Sequence, residues 1–100
     1  MTDYLEHLAE DRRLAILRVL AEAQGYAAND SVLHTALWRL GHVVSRDQIK
    51  TDIAWLAEQG LVGREMVEGS VHVVTLTQRG QDVAEGIVTQ PGIKRPSPRG

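Results

Sequence analysis

Three helical segments with a tight connection between the second and third, then two β-rich runs and a closing helix, predict a mainly α winged helix-turn-helix. The expected parts are a three-helix core, a two-stranded wing and a C-terminal helix. A helix-turn-helix needs a short, permissive turn between two steeply packed helices. Here Gly41 to Val44 separate them, with Gly41 giving backbone freedom and Val43 an apolar contact. A three-helix bundle with an incidental hairpin is the alternative that the same order allows.

The first helix is read from Leu5 to Gln24, where Leu5, Leu8 and Ala9, then Leu14, Leu17, Leu20 and Ala21 recur at helical spacing before Gly25. Thr2 or Asp3 is expected to cap it. The run Leu14 to Ala21 is apolar on most sides, which places it at the centre of the domain. After a loop from Gly25 to Asp30, the caps Asn29, Asp30 and Ser31 open a second helix with an inner stripe of Val32, Leu33, Ala36, Leu37 and Leu40. Ser45-Arg46-Asp47-Gln48 has the form of a capping box, with Gln48 reaching back to the Ser45 amide. The third helix then runs from about Arg46 to Gln59, presents Ile49, Ile53, Leu56 and Ala57 to the core, and stops at Gly60.

Beyond Gly60 the period changes. Leu61 to Val67 and Val71 to Leu76 are β-rich, and Glu68-Gly69-Ser70 between them reads as a hairpin turn. Thr77 caps a last helix from Gln78 to about Val88, with Val83, Ala84, Ile87 and Val88 as its apolar side. Residues 90–100 hold all three prolines, so the chain divides into a winged helix-turn-helix domain, 1–89, and a mobile basic tail, 90–100.

Composition narrows the function. Apolar residues make up 43% and charged residues 24% of 100 residues, the balance of one small globular domain. There is no cysteine, hence no disulfide and no thiolate metal site, which fits a cytoplasmic protein. No apolar run reaches the roughly 18 to 20 residues that span a bilayer, so no membrane association is expected. The four histidines lack metal-site spacing, and no carboxylate pair is framed by apolar neighbours that would tune it for catalysis. Neither an enzyme nor a metal or other cofactor is therefore expected. Residues 1–85 carry 13 acids against 8 Lys and Arg, while the remaining fifteen residues carry Lys94, Arg95 and Arg99 and no acid. An acidic body does not attract nucleic acid through its general field, so DNA binding has to use a local patch, the tail or several copies of the chain.

Ser45-Arg46-Asp47, Leu56 to Val62 and Thr75-Leu76-Thr77-Gln78-Arg79-Gly80 resemble the recognition-helix and wing signatures of ArsR-, MarR- and PadR-like winged-helix regulators. More closely, the chain resembles a family of small winged-helix proteins of Mu-like transposable phages and prophages. The matching stretches are Leu14 to Leu20, Gly25-Tyr26, Val44 to Asp47, Leu56 to Val62, Thr75 to Gly80 and Pro91 to Pro96. The resemblance implies a DNA-binding transcriptional regulator, and in ArsR-like relatives terminal helices form the dimer interface. The alternative is a winged helix that binds a phage or host protein as an adaptor without specific DNA binding.

Successive residues of a helix turn by about 100°, so with Ile49, Ile53 and Leu56 inward, Asp47, Thr51, Ala54 and Glu58 face outward. Gln48 and Trp55 then lie on one flank, Arg46 and Lys50 on the other. Ser45, Arg46, Gln48, Lys50 and Thr51 are the candidate DNA contacts, being residue types that meet phosphates and base edges. Lys94, Arg95 and Arg99 are candidate tail contacts. The hairpin tip, Glu68-Gly69-Ser70, lacks basic residues and is not expected to grip phosphate. Trp38 and Trp55 are expected half-buried. Tyr4, Leu5 and Leu8 with Val83, Ile87 and Val88 form terminal apolar stripes that suit a homodimer.

Overall fold

A computed structural model describes residues 4–67, 69 and 71–97. Helix α1 spans Tyr4–Glu22, followed by a 3-10 turn at Gln24–Tyr26 and strand β1, Ala27–Asn29. Helices α2 (Asp30–Arg39) and α3 (Arg46–Glu58) form the helix-turn-helix, strands β2 (Val62–Val67) and β3 (Val71–Leu76) the hairpin, and α4 spans Gln78–Ala84. The fold is a winged helix, as the order of elements predicts. Thr2 and Asp3, expected as caps, lie outside the described residues.

The sheet has three strands, not two. Its order is β1-β3-β2, with β3 paired antiparallel to both neighbours. Ala27, Ala28 and Asn29 pair with Thr75, Val74 and Val73, in a segment that reads from sequence as loop. Two alanines have little strand preference and three residues show no alternation, so pairing to β3 alone makes this segment extended. In the hairpin, Val62 pairs with Leu76 and Val67 with Val71, which leaves the turn where it is expected.

Leu14, Leu17 and Leu20 of α1 pack with Leu33 and Leu37 of α2, Ile49, Ile53 and Leu56 of α3, and Val74 of β3 in one core. Two members of the expected α2 stripe lie elsewhere, since Val32 and Leu40 are exposed. Leu33 and Leu37 fill the inner face, Val32 sits one residue round the helix, and Leu40 is the C-cap, already outside helical geometry. Helix α4 also ends before the expected Val88. The Ile87 and Val88 amides fold back on the Asp82 carbonyl at 2.9 and 3.3 Å, leaving Ile87 exposed.

Residues 90–97 do not hang free, contrary to the mobile tail expected from composition. Ile93 is buried in the core, the Lys94 amide donates to the Glu10 carbonyl at 3.2 Å, and Arg13 donates to the Gly92 carbonyl at 2.9 Å. Gly92, at φ +92°, lies against Trp55 so closely that a Cβ there would fall 2.6 Å from the ring. Proline and glycine enrichment reads as disorder only when the segment has nothing to bury, and one isoleucine with a glycine shaped to a tryptophan suffices here. Deleting residues 91–100 is therefore expected to cost about 2 kcal/mol through Ile93 alone, a fall of roughly 10 °C in Tm for a domain of this size. A melt unchanged by truncation would show that the strap contributes nothing to folding.

Candidate nucleic-acid interface

Helix α3 begins where its sequence says it should. The Ser45 hydroxyl accepts from the Gln48 amide at 3.0 Å, and Gly60 and Leu61 close the other end through the Ala57 and Leu56 carbonyls. The reciprocal half of the expected capping box does not form. Gln48 instead donates from Nε2 to Asp52 Oδ1 at 3.3 Å, because a buried carboxylate lies one turn onward.

That carboxylate belongs to the main polar anchor of the domain. Asp52 is 2% exposed and receives Arg12 of α1 through two bonds, one from Nε and one from Nη2, the latter at 3.1 Å. The pair is not among the expected contacts, although the sequence carries a signal for it. Arg12 stands four residues before Ile16, and Asp52 stands three after Ile49 and four before Leu56, so both lie in the phase of the core. Opposite charges at core positions of two helices require each other, since a lone buried charge is prohibitive.

The turn before α3 is held from α2. The Val44 carbonyl, next to the Ser45 cap, accepts from His34 Nε2 at 2.8 Å and from Trp38 Nε1 at 3.0 Å. A carbonyl only accepts, so His34 carries its proton on Nε2. Trp38 makes this bond with half of its surface exposed, at 50%. Trp55 is half-buried, with the Arg13 guanidinium 4.3 Å from its ring centroid. Helix α3 is thus fixed at its start by a shared carbonyl, at its middle by an ion pair and on its flank by a stacked tryptophan.

The five candidate residues of α3 divide by what their side chains already do. Ser45 is committed as the cap and Gln48 to Asp52, while the Thr51 hydroxyl donates to the Asp47 carbonyl at 3.1 Å from an exposed position. Arg46 is exposed and has no hydrogen bond or ion pair among the described residues. Lys50, half-buried, borders a small crevice with Asp30, Ile53, Arg64 and His72. Of the expected outward face, Asp47, Thr51 and Glu58 are exposed and Ala54 is half-buried. Among the tail residues, Lys94 approaches Asp11 at 3.8 Å and Arg95 is exposed, while Arg99 lies outside the described residues. Glu68 and Ser70 of the hairpin tip lie outside them too.

No protein-family model matches the chain. It is 54% identical over 92 residues, 92% of its own length and 94% of the relative's, to a protein described as uncharacterized protein gp26 of Escherichia phage Mu. The chain belongs to the phage Mu gp26 family. A Haemophilus influenzae protein, also described as uncharacterized, is 43% identical over 76 residues, 76% of this chain and 74% of that one. Among solved structures, this gp26-family chain resembles a MarR family transcriptional regulator from Streptomyces coelicolor in complex with DNA. The TM-score is 0.65 at 23% identity, covering 81% of this chain and 48% of the regulator. It also resembles RosR of H. salinarum, at a TM-score of 0.66 and 23% identity over 74% of this chain and 66% of that one. The chain therefore spans about half to two thirds of these solved chains. Such likeness establishes the winged-helix fold. Among the described residues no helix is long and apolar enough to cross a membrane, and no three His, Asp or Glu side chains come together as a metal site would need.

Proposed function

We propose that this protein is a phage or prophage transcriptional regulator that places the first turns of α3 on duplex DNA and acts as a homodimer. The observation that carries the reading is Arg46, exposed and without a partner among the described residues, on the first turn of a helix whose start is held rigidly. A long cation on a fixed helix start loses little order on meeting a phosphate or a guanine edge. The Streptomyces regulator, which has the same fold and was solved in complex with DNA, supports this use of the scaffold. Ser45, Gln48 and Thr51 are already engaged within the protein, so Arg46 and Lys50 carry most of the proposed attraction.

Two copies are proposed because one acidic chain with few free cations makes a weak half-site, and two half-sites add. Exposed Tyr4, Leu5 and Ile87 are the proposed contact residues, whereas Val83, expected among them from sequence, is core. Residues Lys94 and Arg95 are proposed as at most secondary contacts, since Lys94 is partly neutralised by Asp11.

Arg46→Ala with Lys50→Ala is expected to weaken duplex binding strongly and leave the melting curve nearly unchanged. The slope of log K against log salt should also become shallower by about 0.9 for each phosphate that the variant no longer neutralises. If the double variant binds as the parent does, another face is responsible. A second reading, a protein-binding adaptor, draws on the hairpin end, where Met66, Val67 and Val71 are exposed and apolar. It predicts no salt-dependent duplex binding by the parent protein.

A further inference from the structure

Asp30, the first residue of α2, is 4% exposed, and its Oδ2 has no hydrogen-bond partner. It borders the crevice lined by Lys50 and Ile53 of α3, Arg64 of β2 and His72 of β3. A buried carboxylate oxygen without a donor is costly, and nearby positive charge is what offsets it. Three elements bring basic side chains to this crevice. Lys50 and Arg64 are permanent cations, and His72 adds a third when protonated. Among the described residues none of the three is ion-paired, to Asp30 or to any other acid. Arg64 is exposed, and Lys50 and His72 are half-buried, so all three reach solvent while bordering the crevice that the buried Asp30 also lines.

We propose that Lys50, Arg64 and His72 form one binding site for a backbone phosphate of duplex DNA, bridging helix α3 and the hairpin, and that Asp30 beneath them holds its strength down. The site deepens the duplex-binding reading and rests on it. It gives the hairpin a role at its base, through Arg64 and His72, where its tip has no basic residue. The restraint follows from position. Asp30 is too deeply buried to be displaced into water, so its charge opposes any phosphate drawn to the cations above it. In an acidic chain, that opposition limits indiscriminate attraction to DNA and leaves the number of bound phosphates unchanged.

The two parts of the proposal separate in one titration. A fluorescein-labelled 20-base-pair duplex is titrated with the full chain across a series of KCl concentrations, with fluorescence anisotropy as the readout. Arg64→Ala is expected to weaken binding about three- to tenfold near 0.1 M salt and to reduce the salt slope by about 0.9, the value of one phosphate. Asp30→Asn, close in shape, is expected to tighten binding by a similar factor with the slope unchanged, since it alters the field and not the number of phosphates bound. Arg39→Ala, at the other end of α2, controls for removal of a charge elsewhere and should change affinity less than twofold. If Arg64→Ala matches the parent while Arg46→Ala is impaired, the phosphate site is overturned and the duplex-binding reading stands. If Asp30→Asn weakens binding while its melting curve matches the parent's, the restraint is overturned. Absence of parent binding at any salt overturns both readings.

Discussion

Replacing Asp52 with alanine is expected to lower folding stability by about 3–5 kcal/mol, the usual cost of removing one partner of a buried ion pair. The loss arises from what remains. Arg12 keeps a guanidinium with little access to water and no carboxylate, and Gln48 loses its acceptor. A domain of this size has about 5–15 kcal/mol of stability in all, so this one change removes much of it. Arg12→Met combined with Asp52→Leu should recover most of the loss, because a well-packed apolar pair of similar volume is often neutral against a buried ion pair. Urea melts of the single and double variants check both statements. A loss below about 1 kcal/mol for Asp52→Ala would mean that water reaches the pair. The pair also joins α1 to α3, so the single variant should loosen the surface proposed to meet DNA.

Gly80→Ala is expected to cost about 3 kcal/mol, at the upper end of overpacking effects. In an exposed helix the same change would stabilise by about 1 kcal/mol through helix propensity, so its sign tests the packing. A Cβ on residue 80 would fall 2.0 Å from the Leu61 carbonyl oxygen and 2.7 Å from Leu76 Cδ1. The carbonyl cannot easily retreat, because it accepts from the Thr77 amide at 3.1 Å and the Thr77 hydroxyl at 2.9 Å. The Thr77 side chain in turn caps α4 by accepting from the Gly80 amide at 3.0 Å. One small residue thus lets α4 close onto the exit of α3 and the end of the hairpin. A thermal melt in which Gly80→Ala raises Tm would show that α4 has room to back away from the Leu61 carbonyl.

Local rules make much of this fold legible. Ser45 before an apolar period and Gly60 after it bound α3 to within a residue, since caps and stops act on the backbone beside them. The hairpin is equally readable from its change of period. What escapes depends on partners distant in sequence. Strand β1 is extended because β3 lies beside it, and Ala27-Ala28 carries no signal of that. Ile93 reads as a lone apolar residue in a proline-rich end, whereas Trp55 and Arg13 supply the surface that receives the chain around it. Of the candidate contacts, residue type alone picks out Ser45, Gln48 and Thr51, and it does not reveal that each already makes one hydrogen bond within the protein. Asp30 reads only as a cap, a role that Asn29 fills by accepting from the Val32 amide at 2.8 Å.

Amide chemical-shift mapping shows whether the first turns of α3 meet duplex DNA. Uniformly 15N-labelled protein titrated with a duplex at low salt should show its largest shifts at residues 45–51, with Arg64 and His72 beside them. Shifts confined to Trp38 and Leu40, or to Met66 and Val67 at the hairpin end, would place the duplex elsewhere, and a spectrum that the duplex leaves unchanged would rule out binding.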